Sequence, residues 1–410
     1  MKPKDCAHRD TDRGQRPDEG SSAAVGIAMT DLRPSYAFVI PWPLGREGGV
    51  NQVVLNLLHQ CRRSGRFRPL LIENIWQRRE PFEFTRLGYH AIQLQMRQPM
   101  VNGTVREMLS YMAFLPSEMR RLLRVLKSHR VEVFNTHFAC IDPFTIVLLK
   151  KLRLWRGKLL ISLHGSDVRL ALRSPWAVRY LTKWVFRNAD AIVPCSNNLL
   201  QATLKLDPYL TNCHAIPNGV DTSDFLGSEP VALRDPGTEM IVSIGRFERK
   251  KGHDTLIAAF RKVASKRPQA RLWIIGEEGD SMARIRTLTE GDMRIRLFVN
   301  VPHGRAMATI AHADIFALSS RIEPFGIALL EAAHFGLPVV STRCGGPEEI
   351  IPDDAFGRLV SVDDIPELAA AMEGLLEDRT EAREMGERLR KRVAANFSWE
   401  ETWRQYEGLV

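Results

Sequence analysis

Short continuous apolar runs recur along this chain, each followed by a stretch with helical spacing, and the series occurs twice. The first series contains "YAFVIPW" (36–42), "VEVFNTH" (131–137), "KLLISLHG" (158–165) and "DAIVPCS" (190–196). The second contains "MIVSIGR" (240–246), "ARLWIIG" (270–276), "IRLFVN" (295–300), "ADIFALSS" (313–320), "LPVVST" (337–342) and "GRLVSV" (357–362). Strands that are apolar on both faces belong to parallel sheets covered by helices on both sides. The stretch "SEPVALRDPGTE" (228–239) between the series is rich in Pro, Gly and acids. The expected fold is therefore α/β, two doubly wound Rossmann-like parallel-sheet domains. A chain of 410 residues is long for one hydrophobic core, which also favours two.

The first helical pattern, "GGVNQVVLNLLHQC", places Val50, Val53, Val54, Leu57, Leu58 and Cys61 on one face. No apolar run approaches the ~20 residues that cross a bilayer, because Lys150, Lys151 and Arg153 interrupt the best candidate, "TIVLLKKLRLW". "AAVGIAM" (23–29) is short and follows acidic "PDEG", unlike a signal peptide. Residues 1–35 mix acids and bases without apolar periodicity and are expected to be a disordered tail, or to precede a start at Met29. Cys6, Cys61, Cys140, Cys195, Cys213 and Cys344 show no CxxC spacing. Neither a disulfide framework nor a zinc site is expected from them, and a cytoplasmic setting fits.

Charge is divided unevenly. Residues 36–225 carry 26 Lys and Arg against 13 Asp and Glu, whereas 226–410 carry 25 against 29. Within "SEMRRLLRVLKSHR" (117–130), Met119, Leu122, Leu123 and Leu126 form one helical face, and Arg120, Arg124 and Lys127 another. Such a face is either solvated or rests on anionic lipid, where each basic residue contributes ~1 kcal/mol. "YMAFLP" (111–116), preceding the helix, and "KKLRLWRGK" (150–158) add aromatic and basic character. No nucleic-acid-binding signature accompanies the charge.

Ligands of open parallel sheets bind beyond the carboxyl ends of the strands, which singles out three loops. "GREGGV" (45–50) carries Gly45, Gly48 and Gly49 ahead of a helix, either a phosphate-binding turn or a plain loop. "SIGRFERKKGHDTL" (243–256) sets Arg246 and Lys251 around a short loop, where a guanidinium and an ammonium can converge on one diphosphate. In "RIEPFGIALLE" (321–331), Glu323 precedes a helix opening at Gly326, and Glu331 lies more than a turn inside it. The free N–H groups of such a helix start suit phosphates or sugar hydroxyls.

Together these motifs resemble the family 4 glycosyltransferases, retaining enzymes of the GT-B fold. Glu323 and Glu331 match their EX7E pattern and "GRFERKKG" their basic diphosphate loop. "LHGSD" (163–167), "IPNGVDTSDF" (216–225) and "FSWEETWRQY" (397–406) match in the same order. The similarity runs from about residue 36 to 410. It implies an N-terminal acceptor-side domain (36–212), a nucleotide-sugar-binding domain (213–392) and a final helix (393–410) returning toward the first, with a central cleft between domains.

Carried over residue by residue, the resemblance implies that Arg246 and Lys251 hold the diphosphate of a nucleotide sugar. It gives Glu331 the ribose diol, Glu323 the hydroxyls of the transferred sugar and His164 an approach to that sugar. Backbone N–H groups around Phe325, Gly326 and Ile327 reach sugar and phosphate, and Gly48 and Gly49 the phosphate or acceptor. A carboxylate is acceptor-only and suits vicinal hydroxyls, so two acids beside a phosphate site need not repel the donor. The implied enzyme is a retaining, metal-independent hexosyltransferase with no cofactor. It would act on a glycan or lipid-linked acceptor in polysaccharide or glycolipid synthesis, in the cytoplasm or peripherally on the inner membrane face.

Some positions depart from the pattern or stay open. Lys250 competes with Lys251 for the phosphate, though the spacing to Gly252 favours Lys251. Gly276-Glu277-Glu278-Gly279 doubles the acid between glycines, and His137 is either a cleft residue or a bonded core histidine. Cys344, near the donor loop, is expected to pack. "VDD" (362–364) is expected to start a helix, and acceptor-binding loops are expected around 76–118. The alternatives to transfer are a GT-B phosphorylase or epimerase, and an inactive nucleotide-sugar-binding subunit.

Overall fold

The computed structural model describes residues 32–45, 48–138, 140–220 and 228–410. The tail expected over 1–35 falls almost wholly outside them, as do Arg46, Glu47, and Asp221 to Phe225 of the interdomain motif.

The first sheet is built from β1 (Ser35–Ile40), α1 (Gly49–Ser64), β2 (Arg68–Asn74), β3 (Phe82–Arg86), β4 (Tyr89–Leu94), α2 (Val105–Ser128), β5 (Val131–His137) and α3 (Phe144–Lys151). It continues through β6 (Lys158–Leu163), α4 (Ser166–Arg173), α5 (Trp176–Asn188), β7 (Ala191–Pro194) and α6 (Asn197–Leu206). Its strand order is β3-β4-β2-β1-β5-β6-β7. Only β3 runs antiparallel, against β4. The second sheet follows β8 (Glu239–Ile244), α7 (His253–Lys266), β9 (Ala270–Gly276), α8 (Met282–Thr289), β10 (Ile295–Val299), α9 (His303–Ala311) and β11 (Ile315–Leu318). α10 (Ile327–His334), β12 (Val339–Thr342), α11 (Pro347–Ile350), β13 (Arg358–Val360), α12 (Ile365–Glu377), α13 (Arg379–Asn396) and α14 (Trp399–Glu407) complete it. The order there is β10-β9-β8-β11-β12-β13.

Both sheets start at a central strand, wind outward one way, and return to the other side. The reversal lies between β1 and β5 in one sheet and between β8 and β11 in the other. Loops diverge at such a point and leave a crevice beyond the strand ends. The sequence-singled loops after β1, β8 and β11 all open there.

The continuous runs are buried as their composition requires. Every residue of β1, β7, β11 and β12 is buried, and α1 buries Val53, Val54, Leu57, Leu58 and Cys61 but leaves Val50 half-buried. A buried residue of this size contributes ~1.5–3 kcal/mol. The final helix α14 lays Trp403 against Tyr36, ring centroids 5.2 Å apart, and Tyr406 hydroxyl 3.0 Å from Ser162 Oγ. The chain end is thereby packed onto the first sheet.

Two expectations change. The helix read from 117 begins at Val105 and runs through Pro116, started by a capping box between Thr104 and Glu107. A proline removes one helical donor, but the buried Tyr111, Leu115, Leu122 and Leu126 hold both halves to the core. The region 76–118, expected as loops, holds β3, β4 and the first half of α2. Their interspersed Arg, Glu and Gln reflect an edge hairpin with one solvated face. Asp364 caps α12 as expected, its carboxylate accepting from Glu367 N at 2.8 Å. Asp363, at φ 60°, turns away to pair with Arg321 at 2.8 Å.

Candidate functional site

The second sheet contributes the charged side chains. After β8 the chain passes Arg246 and a single 3-10 turn, Arg249–Lys251, before Gly252 starts α7. Gly252 sits at φ 64°, and a Cβ there would meet Ser319 O at 2.0 Å. The turn is thus pressed against the end of β11. Lys251 Nζ reaches Glu323 Oε2 at 2.5 Å, and Ser320 Oγ donates to the same oxygen at 3.1 Å. Lys250 instead pairs with Glu248 at 2.7 Å. Arg246 lies against Glu277, Nε to Oε2 at 2.9 Å, and within 3.4 Å of Glu248.

The Glu323 loop is clamped from below. Glu323 N donates to Cys344 O at 3.1 Å and Glu323 O accepts from Gly346 N at 2.7 Å. Burial pushes the Cys344 thiol up to about 12, so Cys344 packs as a neutral group. Gly326, at φ 104°, opens α10 with no side-chain cap, which leaves the first N–H groups of that helix open to a ligand. Phe325 itself is buried with its ring against Phe397, centroids 5.8 Å apart. Its side chain is packed away and offers nothing to a ligand.

The first sheet supplies the opposite wall. α1 starts at Gly48 with neither a side-chain cap nor an acid in its first turn. Gly48 Cα faces Glu277: a Cβ there would stand 3.6 Å from Oε1. One on Gly49 would stand 3.5 Å from Ile327 Cδ1. Adjacent glycines on one helix therefore meet both the acid holding Arg246 and the first residue of the helix that carries Glu331. A cleft follows, lined by Gln52, Asn56, His303, Ile327, Glu331 and Trp399 among others. Glu331 is buried and accepts from or opposes His303 Nε2 at 2.8 Å.

His164 ends β6 beside the third wall. Asp167 accepts from the backbone N–H of His164, Gly165 and Val168 at 2.8, 2.7 and 2.9 Å, which fixes the turn. Burial raises the Asp167 carboxyl to about 6 despite those donors. Burial also lowers His164 to about 4, so its imidazole is neutral at pH 7. His164 Nε2 lies 3.1 Å from His137 Nδ1, with the two rings stacked. His137 is pushed well down by burial and then by His164. Its Nε2 has no hydrogen-bond partner among the described residues. It lines a second, small pocket with Thr136, Phe138, Met96 and Asp142.

Direct contacts join Arg246, Glu277 and Gly48, join Lys251 to Glu323 and join Gly49 to Ile327, while Glu331 and His303 line the adjoining cleft and Gly165, next to His164, packs on Pro324. Sequence reading gave Glu277, His303 and Asp167 no role. Their signal was position, since Glu277 and His303 follow the carboxyl ends of β9 and β10.

A family model described as "Glycosyltransferase Family 4" matches residues 47–224, and one described as "Glycosyl transferases group 1" matches 228–392. N-acetyl-alpha-D-glucosaminyl L-malate synthase of Bacillus anthracis is 24% identical over 292 residues, 70% of this chain and 76% of that one. A GDP-mannose-dependent monoacylated alpha-(1-6)-phosphatidylinositol monomannoside mannosyltransferase of Corynebacterium glutamicum is 26% identical over 312 residues, 71% and 79% of the two chains. Among solved structures, sucrose-phosphate synthase from Thermosynechococcus elongatus superposes with a TM-score of 0.72 at 22% identity, covering 92% of this chain and 98% of its own.

Proposed function

The chain belongs to the family 4 glycosyltransferases of the GT-B fold, and from that premise we propose a retaining, metal-independent transfer in the crevice, on an acceptor presented at an anionic membrane surface. It is a glycosyltransferase that takes its sugar from a nucleotide-sugar donor and builds a glycan or glycolipid. The observation that carries the finer reading is that Arg246 and Lys251 are each held by a carboxylate, opposite the uncapped start of α1.

In this reading the diphosphate replaces Glu277 as the partner of Arg246 and takes the ammonium of Lys251. The open N–H groups of α10 complete the binding of anionic oxygens. Glu331, steadied by His303 at 2.8 Å, accepts from the ribose diol. Glu323, released in part from Lys251, accepts from hydroxyls of the sugar. As the bond between anomeric carbon and phosphate oxygen breaks, negative charge grows on the diphosphate. Groups aimed at that charge stabilise the transition state more than the ground state. The acceptor oxygen forms its bond on the face the phosphate leaves, and its proton passes to the leaving phosphate oxygen. His164, neutral and backed by His137 at 3.1 Å, can donate to or accept from the sugar without placing a cation beside the anomeric carbon. Protein cations at the phosphate take the part that a divalent metal plays elsewhere.

Surface composition supports the membrane element. Val105, Leu109 and Met112 lie at i, i+4 and i+7 on α2 and are 74%, 66% and 52% exposed. Trp176 and Tyr180 on α5 are 78% and 65% exposed. Met108 and Val178 pack together beneath them, so the two faces adjoin. Exposed Arg106, Arg173 and Arg179 border the patch. Arg120, Arg124 and Lys127 are also exposed, Arg124 near Glu80 at 3.5 Å, on the other half of α2. Among the described residues no helix is long and apolar enough to cross a membrane. Amphipathic patches of this kind bind lipid interfaces through apolar area and basic charge together.

Incubation with a panel of labelled nucleotide sugars and membranes tests the function, with the product anomer read by NMR. Label should enter the lipid or glycan fraction with the donor's anomeric configuration and with chelator present. An inverted anomer, or transfer abolished by chelator, refutes the finer reading.

A further inference from the structure

Three side chains converge at the opposite end of the first sheet from the crevice, and nothing in the transfer reaction uses them. Glu83 lies on β3, His90 at the start of β4, and His129 caps the carboxyl end of α2. β3 and β4 pair with Thr85 opposite His90, so Glu83, two residues from Thr85, lies diagonally from His90 on the same face. His129 is fixed by its carbonyl, which accepts from Ser35 Oγ at 2.7 Å and from Arg68 Nη2 at 3.2 Å. The imidazole rings of His90 and His129 are 5.2 Å apart.

The distances are those of a coordination shell. His90 Nε2 stands 3.2 Å from one Glu83 oxygen and His129 Nε2 3.2 Å from the other. The three ligand atoms lie within 4.8 Å of one another, the only such group of three among the described residues. Ligands at zinc–nitrogen and zinc–oxygen distances of about 2.0–2.2 Å at tetrahedral angles are ~3.3 Å apart. Hydrogen bonding does not account for the whole cluster. His129 is aligned to bond Glu83. His90 Nε2, though as close, is out of line for a hydrogen bond, is shut off from solvent and has no other partner among the described residues.

Neutral imidazoles present the lone pairs that a metal needs. Arg68 opposes an incoming cation, but its guanidinium is engaged with Ser35 Oγ and the His129 carbonyl. The half-exposed Glu83 carboxylate brings the compensating charge.

We propose that Glu83, His90 and His129 form a binding site for a divalent transition-metal cation of the zinc type. The ion would pin the edge hairpin β3–β4 to the end of α2, with solvent at the remaining position. Two imidazoles and one carboxylate match zinc's preference among available ligands. The site lies at the amino ends of the parallel strands, so its role is structural and separate from sugar transfer.

The test uses tag-free, chelator-treated full-length protein titrated calorimetrically with Zn²⁺, and with Co²⁺ as a spectroscopic probe. One equivalent should bind, Co²⁺ should show the intense ligand-field bands of a low-coordinate site, and Zn²⁺ should raise the melting temperature. Glu83→Gln and His90→Gln should each weaken binding by about tenfold or more, with unchanged far-UV circular dichroism and unchanged transfer activity. The Glu83 variant is nearly isosteric at an exposed position and keeps the test independent of folding. Absence of stoichiometric binding, or equal Zn²⁺ affinity in wild type and both variants, overturns the proposal.

Discussion

Gly165 and Pro324 meet across the crevice so closely that a Cβ on the glycine would stand 2.2 Å from Pro324 Cγ. Gly165 also has φ 108°, a conformation that side chains rarely adopt. Ser196 Oγ donates to Pro324 O at 2.6 Å beside this contact. The loop carrying Glu323 is therefore seated directly on the turn that carries His164. One missing side chain sets the distance between the two walls of the site.

Gly165→Ala is expected to push these walls apart and to lower kcat/KM by about tenfold or more, since overpacking of this kind costs ~1–3 kcal/mol. The affinity of the second sheet for free nucleotide should change less than turnover. Steady-state kinetics and nucleotide titration on the same preparation check this, and full activity in the alanine variant would contradict the close contact.

The ion pairs of Arg246 and Lys251 make opposite predictions for acid and base. Lys251→Ala removes a cation from the departing diphosphate and leaves Glu323 with the Ser320 hydroxyl as its neighbour. Turnover should fall on the order of 10²–10³. Glu277→Gln removes an anion that the donor must displace from Arg246, so the donor KM should fall a few-fold while kcat holds. Donor-dependence curves for both variants separate the two effects.

What the chain discloses before folding is mostly periodicity and loop chemistry. The runs at 36–42, 240–246 and 313–320 read as buried strands because they are apolar on both faces, and the loops after them carry the glycines, cations and acids of the crevice. β2, β3 and β4 were harder to see. "RPLLIEN" and "FEFTR" mix charges into the strand; β3 tolerates them at the sheet edge, and the buried Glu73 of the interior β2 is met by Leu44 N–H, Arg86 and Gln93, partners that only the assembled sheet supplies. The first half of α2 was hidden by Pro116, whose cost is offset by packing that no local pattern shows. His137 illustrates the same limit: its ambiguity between core and cleft ends only when β5 and β6 are paired and His164 lies 3.1 Å away.

Acid sensitivity follows from buried imidazoles. Burial, reinforced by Lys251, holds His253 at about 3 against an ordinary value of 6.5. Between those values the unfolded chain binds a proton that the folded one refuses, so stability is full above pH 6.5 and is lost as pH falls toward 3. Asp167, raised to about 6 from 3.8, acts in the other direction, with stability falling as pH rises through that window. It is common to wild type and variant and cancels in their difference. His253→Leu should therefore lose less stability between pH 7 and pH 5 than wild type does. Urea denaturation at the two pH values measures this, and equal losses would show that His253 is protonated in the folded state.

The exposed patch on α2 and α5 carries the last prediction, because it distinguishes an apolar contact from mere basicity. Charge alone would attract the first half of the chain to anionic vesicles, and salt would abolish that attraction. Inserted side chains add a part that salt does not screen, about 0.8 kcal/mol for each buried methylene. Leu109→Gln combined with Trp176→Ala removes apolar area without changing net charge. Partitioning into anionic vesicles should fall roughly tenfold or more in the double variant, and the loss should persist at high salt. Activity on a water-soluble acceptor should stay at the wild-type level, since neither residue lines the crevice. If the double variant binds vesicles as wild type does, the membrane contact lies elsewhere. If wild type binds neutral and anionic vesicles equally, the basic border of the patch has no part in it.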